Sequence, residues 1–210
     1  MGKQIIAVDL GGTQIRTARY DSDLNILQRE NTLTQAELGP QATVERMKAY
    51  IYKVMPANRD EIQGIGISSP GPLNPKTGVV IAPPNLPGWR NVPLGDMIAD
   101  AFKLPVYVGN DANVAALAEA CKGAAQGCRH VVYITVSTGI GSGIISEGRL
   151  VSGRAGLAAE LGHIPIIVEQ KRVSSIELEA AGPAIARRVK AALADGAESR
   201  ITDMVGGDLE

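Results

Sequence analysis

An apolar strand, a glycine turn carrying a threonine and a returning strand follow one another twice in this chain, at 9–16 and again at 135–145. In the first, Gln4-Ile-Ile-Ala-Val-Asp9 passes through Leu10-Gly-Gly-Thr13 into Ile15-Arg-Thr-Ala-Arg-Tyr20, whose alternation marks a strand. Because a strand returns and not a helix, the turn is neither a dinucleotide-binding loop nor a P-loop with its Gly-Lys-Ser/Thr. In the second, Val131-Val-Tyr-Ile-Thr-Val136 passes through the glycine turn Ser137-Thr-Gly-Ile-Gly-Ser-Gly143 into a partner strand at 144–151. Backbone N–H groups at such turns approach an anion closely with no helix behind them. Either turn alone reads equally well as an ordinary hairpin. Two of them facing each other from two halves of the chain would clamp a polyphosphate between domains.

The second constraint is Pro105-Val-Tyr-Val-Gly-Asn-Asp-Ala-Asn-Val-Ala-Ala-Leu117. Pro105 to Val108 reads as a short buried strand, Gly109 turns the backbone, and Asn110 and Asp111 stand where an Ala-rich helix begins. Ligands of open α/β sheets sit at that junction. A carboxylate there can take a proton from a bound hydroxyl while the neighbouring amide fixes the hydroxyl's direction. The plainer alternative is that Asp111 only caps the helix.

Between these landmarks the pattern predicts a third strand over 25–32, a helix over 43–55, a strand over 61–67, a short strand at 79–82 and a helix over 94–102. Gly64 and Gly66, alternating in one strand, point to close backbone approach. The proline-rich loop at 83–89 carries Asn85 and the only tryptophan; Asn85 is placed to meet a ligand hydroxyl or to satisfy a turn. Glu160 and His163 share a face if their segment is helical. A long helix is expected over 173–193, interrupted at Gly182-Pro183 and flanked at its start by Glu177 and Glu179. A polar loop or a further helix start is expected over 206–210.

Composition removes several function classes. The net charge is −1 with no basic cluster, and aromatics are 3%, so neither a phosphate-tracking surface nor stacking platforms for bases are in evidence. No apolar run is long enough to span a membrane, and no signal peptide precedes Lys3, which makes a cytoplasmic protein the expectation. Cys121 and Cys128 match no zinc or redox spacing and read as reduced thiols.

The ordered pieces Asp9-Leu-Gly-Gly-Thr13, Ser69-Pro-Gly-Pro72, Gly109-Asn-Asp111, Ser137-Thr-Gly-Ile-Gly141, Glu160-Leu-Gly-His163 and Glu177 before Gly182-Pro183 resemble the ROK family of sugar kinases. The resemblance runs along nearly the whole chain, with bacterial glucokinases nearest in pattern and fructokinases and N-acetylmannosamine kinases close behind. It implies an α/β, actin-like ATPase (ribonuclease H-like) fold of two domains with mixed sheets flanked by helices. Their expected extents are 1–117 and 118–210, the second incomplete. It also implies ATP-dependent phosphorylation of a hexose, foremost glucose to glucose 6-phosphate, by a cytoplasmic homodimer that uses neither nucleic acid nor membrane. Asp111 would be the general base. Gly71, Asn85, Asn110, Glu160, His163 and Glu177 would hold the sugar. Gly11, Gly12, Thr13, Thr138 and Gly139 would surround the phosphates of ATP, and Asp9 would orient magnesium through water.

The chain departs from the family pattern in two ways. Many members carry a cysteine-rich zinc loop after the Glu-x-Gly-His segment. Here Val168 to Ile176 contains no cysteine, so no zinc is expected. Members also run further, through a segment that receives adenosine and a final helix. The expectation is a fragment, or a chain that completes its second domain through another copy, with weak nucleotide affinity in either case. Three alternatives accompany the leading reading: a kinase for fructose or N-acetylmannosamine, a non-catalytic ROK sugar-binding protein or sensor, and an inactive fragment. A ROK repressor would place a helix-turn-helix ahead of the first strand, where this chain already has Gln4.

Overall fold

The computed structural model describes residues 2–168 and 171–205. β1 (Gln4–Leu10) and β2 (Gln14–Tyr20) form the expected hairpin, and β3 (Ile26–Leu33) continues it antiparallel. α1 (Gly39–Val54) starts earlier than its apolar spacing suggests. Pro40 stands in its first turn, where an absent N–H leaves no bond unmade and the fixed φ suits a helix. β4 (Ile62–Ser69) pairs parallel to β1. β5 (Leu73–Asn74) and β6 (Val79–Val80) make a small ribbon. After α2 (Leu94–Phe102), β7 (Val106–Asn110) pairs parallel to β4, giving a five-stranded sheet of order β3-β2-β1-β4-β7.

Alternation assigns the faces of this sheet. Ile6, Val8 and Leu10 of β1, with Ile65 and Ile67 of β4, turn to one side and meet Val44, Met47 and Ile51 of α1 and Leu94 and Ile98 of α2. The opposite side carries Asp9, Arg16, Ser68 and Gly109. Register sets these in a row, since Asp9 lies opposite Arg16 and beside Ser68, which lies beside Gly109. The carboxyl ends of β1, β4 and β7 therefore share one rim.

α3 (Asp111–Lys122) starts at that rim and lies against a second sheet, order β10-β9-β8, built from β8 (Val131–Val136), β9 (Ile140–Ser146) and β10 (Arg149–Leu150). The division expected at 117/118 falls within α3. β9 begins at Ile140, so Gly141 and Gly143 are strand residues and not part of a turn. A Cβ on Gly143 would stand 2.7 Å from the Ala112 oxygen and the Ala116 Cβ; the glycine lets the helix lie directly on the strand. On the other face of β8, Val132, Ile134 and Val136 are exposed.

β11 (Pro165–Ile167) pairs antiparallel with β12 (Val173–Ser175), and α4 (Ile176–Ala180), α5 (Gly182–Ala194) and α6 (Arg200–Met204) follow. The single helix expected over 173–193 is thus a strand and two helices. Ala181 is extended at φ −70 and ψ 163 and separates α4 from α5. Pro183 has no N–H to give a preceding turn and its ring would strike the carbonyl four residues back, so it stands in the first turn of a new helix. The polar loop expected over 206–210 lies outside the described residues. Among the described residues no helix is long and apolar enough to cross a membrane.

Candidate active site

The first glycine turn closes on itself and on two neighbours. Gly11 N–H donates to the Gln14 oxygen at 2.9 Å. A Cβ on Gly12 would lie 2.9 Å from the Asn85 oxygen, so Gly12 is where the Asn85 loop rests on the turn. Asn85 itself is exposed, and the structure joins it to the first turn. Asp9, at the end of β1, accepts a hydrogen bond from the Arg16 guanidinium at 3.2 Å, and both side chains are half exposed. A recess of about 360 Å³ is lined by Asp9, Gly11, Gly12, Thr13, Gln14 and Arg16. Arg16 escaped the motif reading, although the hairpin register alone sets it across from Asp9.

At the start of α3 the two polar residues divide their work. Asn110 is the helix cap: its backbone is extended and its Oδ1 accepts the Asn113 N–H at 3.2 Å. Asp111 is the first helical residue and accepts the Ala112 N–H at 2.8 Å. With the cap supplied by Asn110, Asp111 is open for other chemistry. Asp111 is exposed along the groove, yet partial desolvation by the surrounding protein pushes its carboxyl above the usual aspartate range, against the opposing effect of the Ala112 N–H, and the nearby Asp9 charge pushes it further. A Cβ on Gly71 would lie 3.0 Å from Asn110 Nδ2, so the Gly71 backbone borders the same spot. Asp9, Asp111 and Thr135 all line one groove of about 940 Å³ between the two sheets.

The second turn is short. Ser137 N–H donates to the Gly139 oxygen at 2.8 Å, leaving Thr138 at an exposed tip. Glu177 on α4 braces it by accepting the Ile140 N–H at 2.8 Å, and a Cβ on Gly139 would stand 2.5 Å from that same carboxylate oxygen. Gly162 packs just as closely, since its Cβ would fall 2.4 Å from the Ile140 oxygen. Glu160 precedes a single 3-10 turn, Leu161–His163, instead of lying in a helix, and its carboxylate sits 3.9 Å from His163 Nε2 with both side chains exposed. The loop leading to it touches the first sheet's ribbon: a Cβ on Gly156 would lie 2.6 Å from Pro75 Cδ. The structure therefore gathers Thr138, Gly139, Glu160, His163 and Glu177 into one cluster. Asp9, Gly11, Gly12, Thr13 and Asn85 form a second, and Gly71, Asn110 and Asp111 a third.

A single carboxylate clasps β12 to α4. Glu179 accepts hydrogen bonds from the buried Ser174 hydroxyl at 2.6 Å and from Arg172 at 2.7 Å, which join β12 to α4. One carboxylate without thiolate or imidazole partners supplies too few ligands for a structural zinc. Among the described residues no group of three or more His, Cys, Asp or Glu could hold a metal ion. The Ser174 hydroxyl, and then Arg172, hold the Glu179 carboxyl below the usual glutamate range. A folded-state pKa lowered in this way contributes stability that is present above the unfolded pKa and is lost as pH falls through the folded one. Thermal melts should therefore decline below about pH 4.3, and Glu179→Gln should flatten that decline. A chelator should leave the neutral-pH melting temperature unmoved, and a drop on chelation would overturn the clasp.

A model of the ROK family matches residues 5–207. The chain is 38% identical over 163 residues to a glucokinase of Thermotoga maritima, covering 78% of this chain and 51% of that protein. It is 39% identical over 158 residues to an N-acetylmannosamine kinase of Citrobacter koseri, covering 75% of this chain and 53% of that one. Among solved structures, a ROK family glucokinase from Streptomyces griseus in complex with glucose and AMPPNP superposes with a TM-score of 0.78 at 31% identity. That match covers 98% of this chain and 67% of the other. The chain spans about half the length of the curated relatives it matches.

Proposed function

The chain belongs to the ROK family, with its actin-like α/β fold, and from that premise we propose that its site transfers the terminal phosphoryl group of ATP to a hexose hydroxyl. The observation that carries this reading is Asp111, relieved of capping by Asn110, with its carboxyl pushed up and lining the groove between the two sheets together with Asp9 and Thr135. A base whose pKa lies closer to the working pH moves a proton more effectively. Asp111 takes the proton of the sugar hydroxyl as its oxygen bonds to the γ-phosphorus, and the bridging bond to the β-phosphate breaks to release ADP. Such transfers rest mainly on positioning and charge neutralisation. Gly11, Gly12, Thr13, Thr138 and Gly139 surround the phosphates. The half-exposed carboxylate of Asp9 suits magnesium held through water, an ion that supplies neutralising charge when bound with ATP.

Gly71, Asn85, Asn110, Glu160, His163 and Glu177 hold the sugar. Carboxylates suit a neutral polyol because each accepts from adjacent hydroxyls. Two of the curated relatives are named for glucose and for N-acetylmannosamine, and glucose is the acceptor we place first. The deciding experiment follows ADP release by this chain with ATP, magnesium and, in turn, glucose, N-acetylmannosamine, fructose and mannose. Turnover with glucose above the others supports the reading, and preference for another sugar replaces the acceptor. No turnover with any of them overturns the activity for this chain.

A further inference from the structure

Gly11, Gly12 and Thr13 form the first glycine turn, and a turn presents its N–H groups outward only if its carbonyls are held inward. Thr34, the residue after β3, does this. It is fully buried. Its hydroxyl donates to the Gly11 oxygen at 2.6 Å, and its own N–H donates to the Thr13 oxygen at 2.8 Å. One residue thus occupies the carbonyls on both sides of Gly12. Behind it, the Arg46 guanidinium of α1 donates to the Thr34 oxygen at 2.5 Å, so the brace is anchored in the main helix.

The N–H groups of the turn are then accounted for. Gly11 N–H is spent on Gln14, whereas Gly12 N–H and Thr13 N–H have no acceptor among the described residues. They border the recess that also holds Asp9 and Arg16. Backbone donors left unpaired beside a cation form an anion-binding concavity. We propose that Thr34 is a positioning residue for phosphate: by pinning the Gly11 and Thr13 carbonyls it fixes the Gly12 and Thr13 N–H groups toward the recess. The inference rests on the reading of this turn as a phosphate site. Its prediction is specific because Thr34 touches no ligand itself. Its removal should weaken phosphate binding without altering any group that phosphate contacts.

The test titrates the chain with inorganic tripolyphosphate and magnesium while following backbone amide resonances. In the unaltered chain, Gly12 and Thr13 amides are expected to exchange quickly, to shift on titration and to become protected, while Gly11 is protected throughout. Thr34→Val keeps the shape and deletes the hydroxyl, and should weaken binding about tenfold, the scale of one hydrogen bond's contribution. Thr34→Ser should restore it. Equal affinity for Thr34→Val and the unaltered chain, or failure of Thr34→Ser to rescue, overturns the positioning role while leaving the phosphate site standing. Absence of any shift at Gly12 and Thr13 in the unaltered chain overturns the phosphate reading together with the inference. Should Thr34→Val fail to fold, the exchange pattern of the unaltered chain still decides, because slow exchange at Gly12 and Thr13 without ligand would refute outward-facing donors.

Discussion

Exchanging Asp111 for asparagine is expected to lower turnover about 10²- to 10⁴-fold while leaving sugar affinity within a few-fold of normal. The amide keeps the shape and still accepts a hydrogen bond from the sugar, but it cannot take the proton. The helix start should survive, because the cap belongs to Asn110. The pH–rate profile gives an independent readout. Turnover requires ionised Asp111, so the rate should fall as pH drops through its pKa, and this acid limb should lie above the usual aspartate range. Partial desolvation is the main cause and the Asp9 charge adds to it, so Asp9→Asn should move the limb downward even as it slows the reaction. Stability carries the opposite sign. A carboxyl whose pKa is raised by folding binds more protons folded than unfolded, so the ionised form opposes folding at neutral pH. Asp111→Asn should therefore melt no lower than the unaltered chain, and slightly higher. Full turnover in Asp111→Asn, or an acid limb that ignores Asp9, would dispose of the general-base role.

The hairpin from β1 to β2 was legible because strand alternation and a glycine turn are local signals, and Asn110 with Asp111 was legible because caps declare themselves at helix starts. Gly141 and Gly143 were misread for an equally physical reason. A glycine that bends the chain and a glycine that admits a helix look alike in a sequence, and only the position of Ala112 and Ala116 tells them apart. The same holds for Glu177. Its bond to Ile140 N–H spans 37 positions, so no spacing rule could have linked it to the second turn. Thr34 carries no motif and lies in no periodic segment, and its value comes from what β3 brings it against. Arg16 stands between these cases, since it follows from pairing Asp9 across a hairpin already recognised. In this chain, local chemistry announced which groups could act, and tertiary contacts decided what holds them in place.

The largest stability effect is expected from Trp89→Ala. Trp89 is 2% exposed and packs in the same cluster as Leu86, Val80 and Leu94, although it belongs to a loop and to no strand or helix. Truncating a buried aromatic of this size costs about 3–5 kcal/mol, a large part of the roughly 5–15 kcal/mol that keeps a domain folded. For a chain of this length the melting temperature should fall by roughly 6–20 °C. Trp89→Phe fills most of the space and should cost far less. It forfeits no hydrogen bond, since the indole Nε1 is buried without a partner among the described residues. The two variants also separate packing from function. Leu86 and Trp89 anchor the loop whose Asn85 backbone rests on Gly12, so loosening the anchor frees Asn85 and removes a wall of the first turn. Trp89→Ala should therefore weaken binding of both sugar and tripolyphosphate, assayed well below its melting point, while Trp89→Phe should weaken neither. The only tryptophan reports its own environment, and its fluorescence should shift to the red on unfolding of the unaltered chain. If Trp89→Ala melts within a couple of degrees of the unaltered chain, the loop is held by its backbone turns. If it melts early but binds normally when folded, Asn85 is positioned by Gly12 alone.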